Sequence, residues 1–265
     1  MKINDIENIV KDHVGISDDE LSWIYDDHEC NMSKIEDWYR SEFDTEEDLF
    51  NKQGYRSDSL DGDNGFLFLG CSITFGYGLP RHEAWPWIVG KHFDVSVWNL
   101  AVTGQGDDVC FLNTKKWISK LKPKVVCMMI PPTGRFKFFD VDDESLSNQF
   151  IYWKLTSYEK EVKFPWLFNV KNLYVHTLKN ILSIKTLCDE QNIPLVLKSP
   201  AIQKWVSENK MSVWDKLTMK KEWGDVAQDG QHPGPKWHKK MADYYIEEIL
   251  LLFHMIYIEE INKCI

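Results

Sequence analysis

The sequence predicts a three-layer α/β/α fold in which a parallel sheet of four or five strands lies between two layers of helices. Three observations predict it. Apolar runs of strand length recur at 66–69, 95–99, 124–130 and 193–198. The intervals between most of them carry apolar residues at helical spacing, so strands and helices alternate in the βαβ rhythm of a parallel sheet. The run Val125-Val126-Cys127-Met128-Met129-Ile130 is wholly apolar, as expected of a strand covered by helices on both faces.

Composition bounds what such a domain can do. With 31 Lys and Arg against 41 Asp and Glu, the formal charge of the 265-residue chain is −10, the wrong sign for a surface that holds nucleic-acid backbones or anionic membranes. The start, Met1-Lys2-Ile3-Asn4-Asp5-Ile6-Glu7, lacks the charged and then apolar pattern of an export signal, and a cytoplasmic protein is expected. Six cysteines at 30, 71, 110, 127, 188 and 264 form no Cys-x-x-Cys pair and read as reduced thiols. The eight histidines include no His-Glu-x-x-His, so neither a metal nor another cofactor is expected.

In chain order, residues 1 to about 45 place Ile3, Ile6, Ile9 and Val10 at helical spacing, with further helices suggested by Leu21, Ile24 and Trp38-Tyr39. The division expected is an N-terminal helical extension over 1–60 and an α/β domain over 61–265. Residues 51–64, rich in Gly, Ser and Asp, read as a solvated linker; they lack the terminal glutamate of a calcium loop. Phe66-Leu67-Phe68-Leu69 is the first strand and breaks at Gly70-Cys71-Ser72, with glycines returning at Gly76 and Gly78. A helix opened by Pro86 in its first turn follows, in which Trp85 and Trp87 read chiefly as packing residues. The strand at 95–99 feeds a helix over about Asp107–Leu121, stopped by Pro123, and then the third strand. Residues 131–165 are crowded with aromatics and read as mostly core, or as a lid. A helix over about Leu167–Gln191 hands over through Asn192 to a fourth strand ending at Lys198. The segment 201–228 holds Trp205, Trp214 and Trp223, either stacking surfaces or cover for a loop. The last helix, about Pro235–Glu260, is too short and too closely flanked by charge to span a bilayer; docking on the sheet is expected, with self-association second.

Two short segments carry chemistry. Ser72 sits where the first strand turns, and the ligand crevice of an open α/β sheet lies at the carboxyl ends of its strands. Taken alone, Gly-Cys-Ser is equally a plain turn. Near the other end, Asp229-Gly230-Gln231-His232 sets an acid and an imidazole with two residues between them. A serine nucleophile needs a base to take its proton, and that base needs a carboxylate on Nδ1 to fix its tautomer, so the two segments supply complementary parts. His82, ten residues from Ser72, is an alternative base with only the adjacent Glu83 as a partner.

With these two segments the chain resembles the SGNH, or GDSL-type, hydrolase family, whose first block holds the serine and whose last holds Asp-x-x-His. Val97-Trp98-Asn99-Leu100-Ala101-Val102-Thr103-Gly104 is similar to the family's second block, which implies that the Gly104 N–H joins that of Ser72 in an oxyanion hole. The third block departs from the pattern. Where a Gly-x-Asn-Asp is usual, Pro131-Pro132-Thr133-Gly134-Arg135 follows the strand, so Thr133 and Arg135 become candidates for a substitute donor or a substrate contact, with pairing to one of the acids at 140–144 the equal alternative for Arg135. Cys71 stands where the family has Asp before the serine. The resemblance covers roughly residues 65–245, and the first block is most similar to phage-encoded members. It implies a flavodoxin-like sheet and a triad of Ser72, His232 and Asp229 that hydrolyses an ester, with a small acyl group on a glycan as first candidate. Acyl transfer by the same triad, or a binding or virion-associated module on a retained fold, is the alternative.

Overall fold

The computed structural model of the chain describes residues 10, 13–14, 50–132, 135, 138–139, 146–147, 170–199, 224–230 and 232–264. In chain order its elements are β1 (Gly65–Leu69), α1 (Ser72–Phe75), a 3₁₀ turn (Arg81–Glu83), α2 (Trp85–Phe93), β2 (Ser96–Asn99), α3 (Asp107–Leu121) and β3 (Val126–Met129). There follow a two-residue pair, β4 (Phe138–Phe139) and β5 (Leu146–Ser147), then α4 (Val170–Glu190), β6 (Leu195–Lys198) and α5 (Pro235–Cys264).

The main sheet has four parallel strands in the order β2-β1-β3-β6. Such an order, with the first strand between the second and third, is that of flavodoxin-like doubly wound sheets, and it brings the ends of β1 and β2 side by side. Side chains alternate across the pleat. Leu67, Leu69, Val126 and Met128 face the core shared with α3 and α4, whereas Phe66, Phe68, Cys127 and Met129 face α2 and α5. Both faces are thus covered, which is why the strands read as continuous apolar runs. On the second face Trp85 stacks on Tyr245 at 4.3 Å between ring centroids, and the Tyr245 hydroxyl donates to the Met128 carbonyl. The packing role expected of Trp85 holds, and α5 docks on the sheet through Met241, Tyr245 and Ile249.

Helix ends follow their sequence signals closely. Pro86 lies in the first turn of α2. At the far end of α3 the chain turns at Lys122, whose φ of 48° puts it in the left-handed region ahead of Pro123. Asn192 makes the corresponding turn between α4 and β6, at φ 54°. No helix of the described residues is long and apolar enough to cross a membrane.

The solvated-linker reading of residues 51–64 is overturned over 55–60, while 61–64 are exposed as expected. Tyr55, Arg56, Ser57 and Leu60 are buried. The cause is the open edge of β2, whose outward-facing amides need partners. Asp58 accepts the Val97 N–H at 2.7 Å through its carboxylate and donates its own N–H to the Val97 carbonyl. Ser57 Oγ donates to that same carbonyl and accepts the Asn99 N–H. Polar residues in this stretch therefore serve as an edge cap, while Tyr55 and Leu60 join the core that includes Leu67 and Trp98. The helices expected over 1–45 lie outside the described residues, apart from helical positions 10, 13 and 14.

Candidate active site

The nucleophile candidate is delivered by a sharp break in β1. A side chain at Gly70 would collide with the Thr74 side chain and approach the Met129 carbonyl, so the chain can fold back this tightly only with glycine there. Cys71 is extended and Ser72 is the first residue of α1, a single turn closed by Gly76 in the left-handed region. Arg56, fully buried, donates to the carbonyls of Phe75, Gly76 and Leu79 at 3.2, 2.9 and 2.8 Å. From the other side, the side-chain amide of Asn99 at the end of β2 donates to the Thr74 carbonyl and accepts the Ala101 N–H.

The Asp229–His232 segment is a self-contained loop. Val226 and Pro233 form an antiparallel bridge, the Ala227 N–H donates to the His232 carbonyl at 2.9 Å, and the Gly234 N–H donates to the Asp225 carbonyl. The Asp225 carboxylate accepts the N–H groups of Lys236 and Trp237 in the first turn of α5, joining the base of the loop to the helix. One long-range bond, from the Gln228 N–H to the Gly78 carbonyl, ties the loop to the turn after α1. Gly78 has φ 79°, and a Cβ there would press on Ala227 and on the Asp229 carboxylate.

These two supports bring together side chains 160 positions apart. His232 Nε2 lies 2.9 Å from Ser72 Oγ, and His232 Nδ1 lies 2.5 Å from Asp229 Oδ2. The other carboxylate oxygen accepts the His232 backbone N–H at 3.0 Å, so Asp229 is held by both the ring and the main chain of the residue it orients. A carboxylate on Nδ1 fixes the proton there, which leaves the Nε2 lone pair to accept the Ser72 hydroxyl hydrogen. The Asp229 side chain is 8% exposed against 25% for His232, so the acid is shielded while the imidazole borders solvent. The Tyr77 ring packs 5.1 Å from the imidazole and walls one side of it.

The other expected site residues divide. Gly104 is half-buried at φ 79° in the loop after β2, and among the described residues no hydrogen bond engages its N–H or that of Ser72. Arg135 is buried, and its carbonyl lies against Gly106 so closely that a Cβ at 106 would be 2.1 Å from it. Thr133 lies outside the described residues, as do Trp205, Trp214, Trp223 and most of the aromatic stretch over 131–165. His82 is exposed on the 3₁₀ turn, away from the hydrogen bonds that join Ser72, His232 and Asp229.

A second acid and imidazole meet at Asp107 and His176, 3.4 Å apart, with Asn180 donating to Asp107 at 2.8 Å. Burial works to raise the Asp107 carboxyl, but hydrogen bonds from His176, Thr177 and Asn180 outweigh it and hold the group below the usual carboxylate range. This cluster joins α3 to α4 and acts as packing. Cys71, Cys110, Cys127 and Cys188 are buried and unbridged, and burial pushes the Cys110 and Cys127 thiols up and that of Cys188 to about 12. Those three are inert as thiolates.

Sequence reasoning overlooked Arg56, Asn99 and Asp225. Arg56 and Asn99 give no local signal, because each acts on chain some 20 to 25 residues away. Asp225 was open to detection as an acid ahead of a helix, had the nine-residue loop between it and Pro235 been foreseen.

No family model matches the chain, and no curated protein does. Among solved structures, it is similar to the psychrotrophic esterase EstA from Pseudoalteromonas sp., at 15% identity and a TM-score of 0.44, over 72% of this chain and 100% of that one. It is also similar to the acetyl xylan esterase Est2A from Butyrivibrio proteoclasticus, at 14% identity and a TM-score of 0.41, over 70% of this chain and 64% of that one. A catalytic mutant of the acetylxylan esterase Axe2 from Geobacillus stearothermophilus is similar at 15% identity and a TM-score of 0.34, over 70% and 94%.

Proposed function

We propose that this protein is a serine esterase of SGNH type, with Ser72 as nucleophile, His232 as general acid and base, and Asp229 as the group that orients the imidazole. The observation that carries the reading is the continuous relay from Ser72 Oγ to His232 Nε2 at 2.9 Å and from His232 Nδ1 to Asp229 Oδ2 at 2.5 Å. Ser72 Oγ attacks the ester carbonyl carbon while its proton passes to Nε2. The tetrahedral intermediate collapses as Nε2 returns that proton to the departing alcohol oxygen, leaving an acyl group on Ser72. Water then repeats the sequence: His232 takes its proton, the hydroxide displaces the acyl group as a carboxylic acid, and Ser72 Oγ regains a hydrogen.

The developing oxyanion is received by the N–H groups of Ser72 and Gly104, with Arg135 and Thr133 as candidates for the place of the absent asparagine. Removing one such donor typically slows acyl transfer about 10²–10³-fold, so a two-donor hole makes a slower enzyme than a three-donor one. The substrate class we favour is a small acyl ester of a glycan hydroxyl, on the family resemblance of the first, second and last blocks.

A fluorophosphonate probe tests this reading directly. The wild-type protein is expected to label once, on the peptide carrying Ser72, and Ser72→Ala is expected not to label. Absence of labelling in the wild type, or equal labelling of Ser72→Ala, would overturn the assignment.

A further inference from the structure

We propose that Arg56 is a positioning residue for the nucleophile: its buried guanidinium grips the carbonyls behind Ser72 and thereby sets the direction of the Ser72 hydroxyl and N–H. The inference rests on the esterase reading and adds a residue that belongs to none of the motif blocks.

The physical need is plain from the size of α1. Four residues make one helical turn, and a lone turn is unfavourable because ordering it yields too few hydrogen bonds. Its last carbonyls also lack partners within the helix. Something outside must hold it. Arg56 supplies three bonds, to Phe75, Gly76 and Leu79, which span the end of the turn and the bend beyond it. Asn99 supplies a fourth, to Thr74, so four carbonyls in the stretch 74–79 are held from two directions.

Arginine suits the position for geometric reasons. A planar fork of five N–H donors can reach several carbonyls at once, whereas a lysine presents three donors from a single point. The guanidinium carbon also lies 5.5 Å from the ring centroids of both Phe75 and Trp87, within the range of a cation–π contact. Gly76 is confined to glycine chiefly by Ala84, whose Cβ a side chain there would meet at 2.5 Å, and the same Cβ would come 3.2 Å from Arg56 Nη1.

The same short segment also fastens the neighbouring strand. Ser57 and Asp58, next to Arg56, bond to Val97 and Asn99 on β2, the strand that leads to Gly104. Three consecutive residues thus link the turn bearing Ser72 to the strand feeding the second proposed oxyanion donor. Since misplacement by about 1 Å can cost near 10² in rate, loosening this link should slow chemistry without altering how substrate is held.

The test compares Arg56→Lys with Leu187→Ala, which opens the core on the opposite face of the sheet, where α4 packs. Both are measured as full-length protein for melting temperature, fluorophosphonate labelling rate, and kcat and KM on p-nitrophenyl acetate. Arg56→Lys is expected to lower kcat and the labelling rate about 10- to 100-fold with KM changed less than threefold, while Leu187→Ala loses melting temperature and keeps both rates within about twofold. Asn99→Asp, which replaces the amide that donates to the Thr74 carbonyl with an acceptor, is expected to share the Arg56→Lys signature and serves if the lysine variant does not fold. A kcat for Arg56→Lys no lower than that of Leu187→Ala, or a loss appearing in KM alone, would overturn the positioning role. A wild-type protein that neither labels nor hydrolyses would instead overturn the esterase reading beneath it.

Discussion

The two halves of the proposed site are held in opposite ways. The Asp229–His232 loop is braced within about a dozen residues of itself, by the Val226–Pro233 bridge, the Ala227 to His232 bond and the Asp225 carboxylate at the start of α5. The turn bearing Ser72 has backbone bonds of its own, from the Phe75 N–H to the Cys71 carbonyl and from the Tyr77 N–H to the Ser72 carbonyl among them, but the side chains that brace it come from elsewhere, Arg56 before it and Asn99 after it. A mobile acid–base pair would lose its tautomer control, so local bracing suits it, while a nucleophile on a strand end inherits its place from the sheet. The difference teaches where sensitivity should lie: damage to the loop should remain local, and damage around Ser72 should arrive from residues far along the sequence.

The largest expected effect breaks the loop half at its chemical centre. Asp229→Asn preserves the shape of the carboxylate but can donate where it formerly only accepted, which favours the wrong tautomer of His232. A fall in kcat of about 10⁴-fold is expected with the melting temperature nearly unchanged. Steady-state kinetics with a thermal melt decide it, and a loss below tenfold would remove Asp229 from the orienting role.

A smaller effect sharpens the contrast. Asp225→Ala removes the acceptor for the Lys236 and Trp237 N–H groups, which resembles loss of a helix N-cap and should cost about 1–2 kcal/mol. Because the His232 and Asp229 contacts survive within the loop, hydrolysis should fall less than tenfold, well short of the change expected for Asp229→Asn. Chemical denaturation reports the first quantity and initial rates the second.

The same contrast explains what was legible in the sequence. The acid and imidazole could be read because their relation is local, three positions apart in a glycine-bearing bend. Strands and helices could be read because burial on both faces leaves uninterrupted apolar runs, and α3 runs over Asp107–Leu121 as its periodicity predicts. Residues 55–60 were misread for the opposite reason. Ser57 and Asp58 look like solvent-facing loop residues, yet they satisfy the main chain of an edge strand 39 to 42 residues away, and polarity alone does not distinguish water from a carbonyl as partner. Arg56 is the extreme case: a charged side chain with no measurable exposure, identifiable only once the turn it grips is in place.

A last effect, read as a slope against pH and not as a loss of rate, lies where the two halves meet. His238, in the first turns of α5, is fully buried, and its Nδ1 accepts the Trp85 N–H at 3.1 Å. Burial, with lesser contributions from the neighbouring His232 and Arg56 charges, pushes this imidazole from its ordinary 6.5 down to about 3. The unfolded chain therefore binds a proton below 6.5 that the folded chain refuses until about 3. Stability from this residue is present above pH 6.5 and is lost as pH falls across that window, with a slope of up to ~1.4 kcal/mol per pH unit for one proton. Asp107 adds a loss of the same sign only below its ordinary 3.8. Denaturant midpoints between pH 7 and 4.5 should therefore fall in the wild type and fall less steeply in His238→Asn, which keeps an acceptor near Trp85 but has no group to protonate. Identical slopes for the two proteins would show that His238 takes up its proton in the folded state as readily as in the unfolded chain, and would remove it as a source of acid sensitivity.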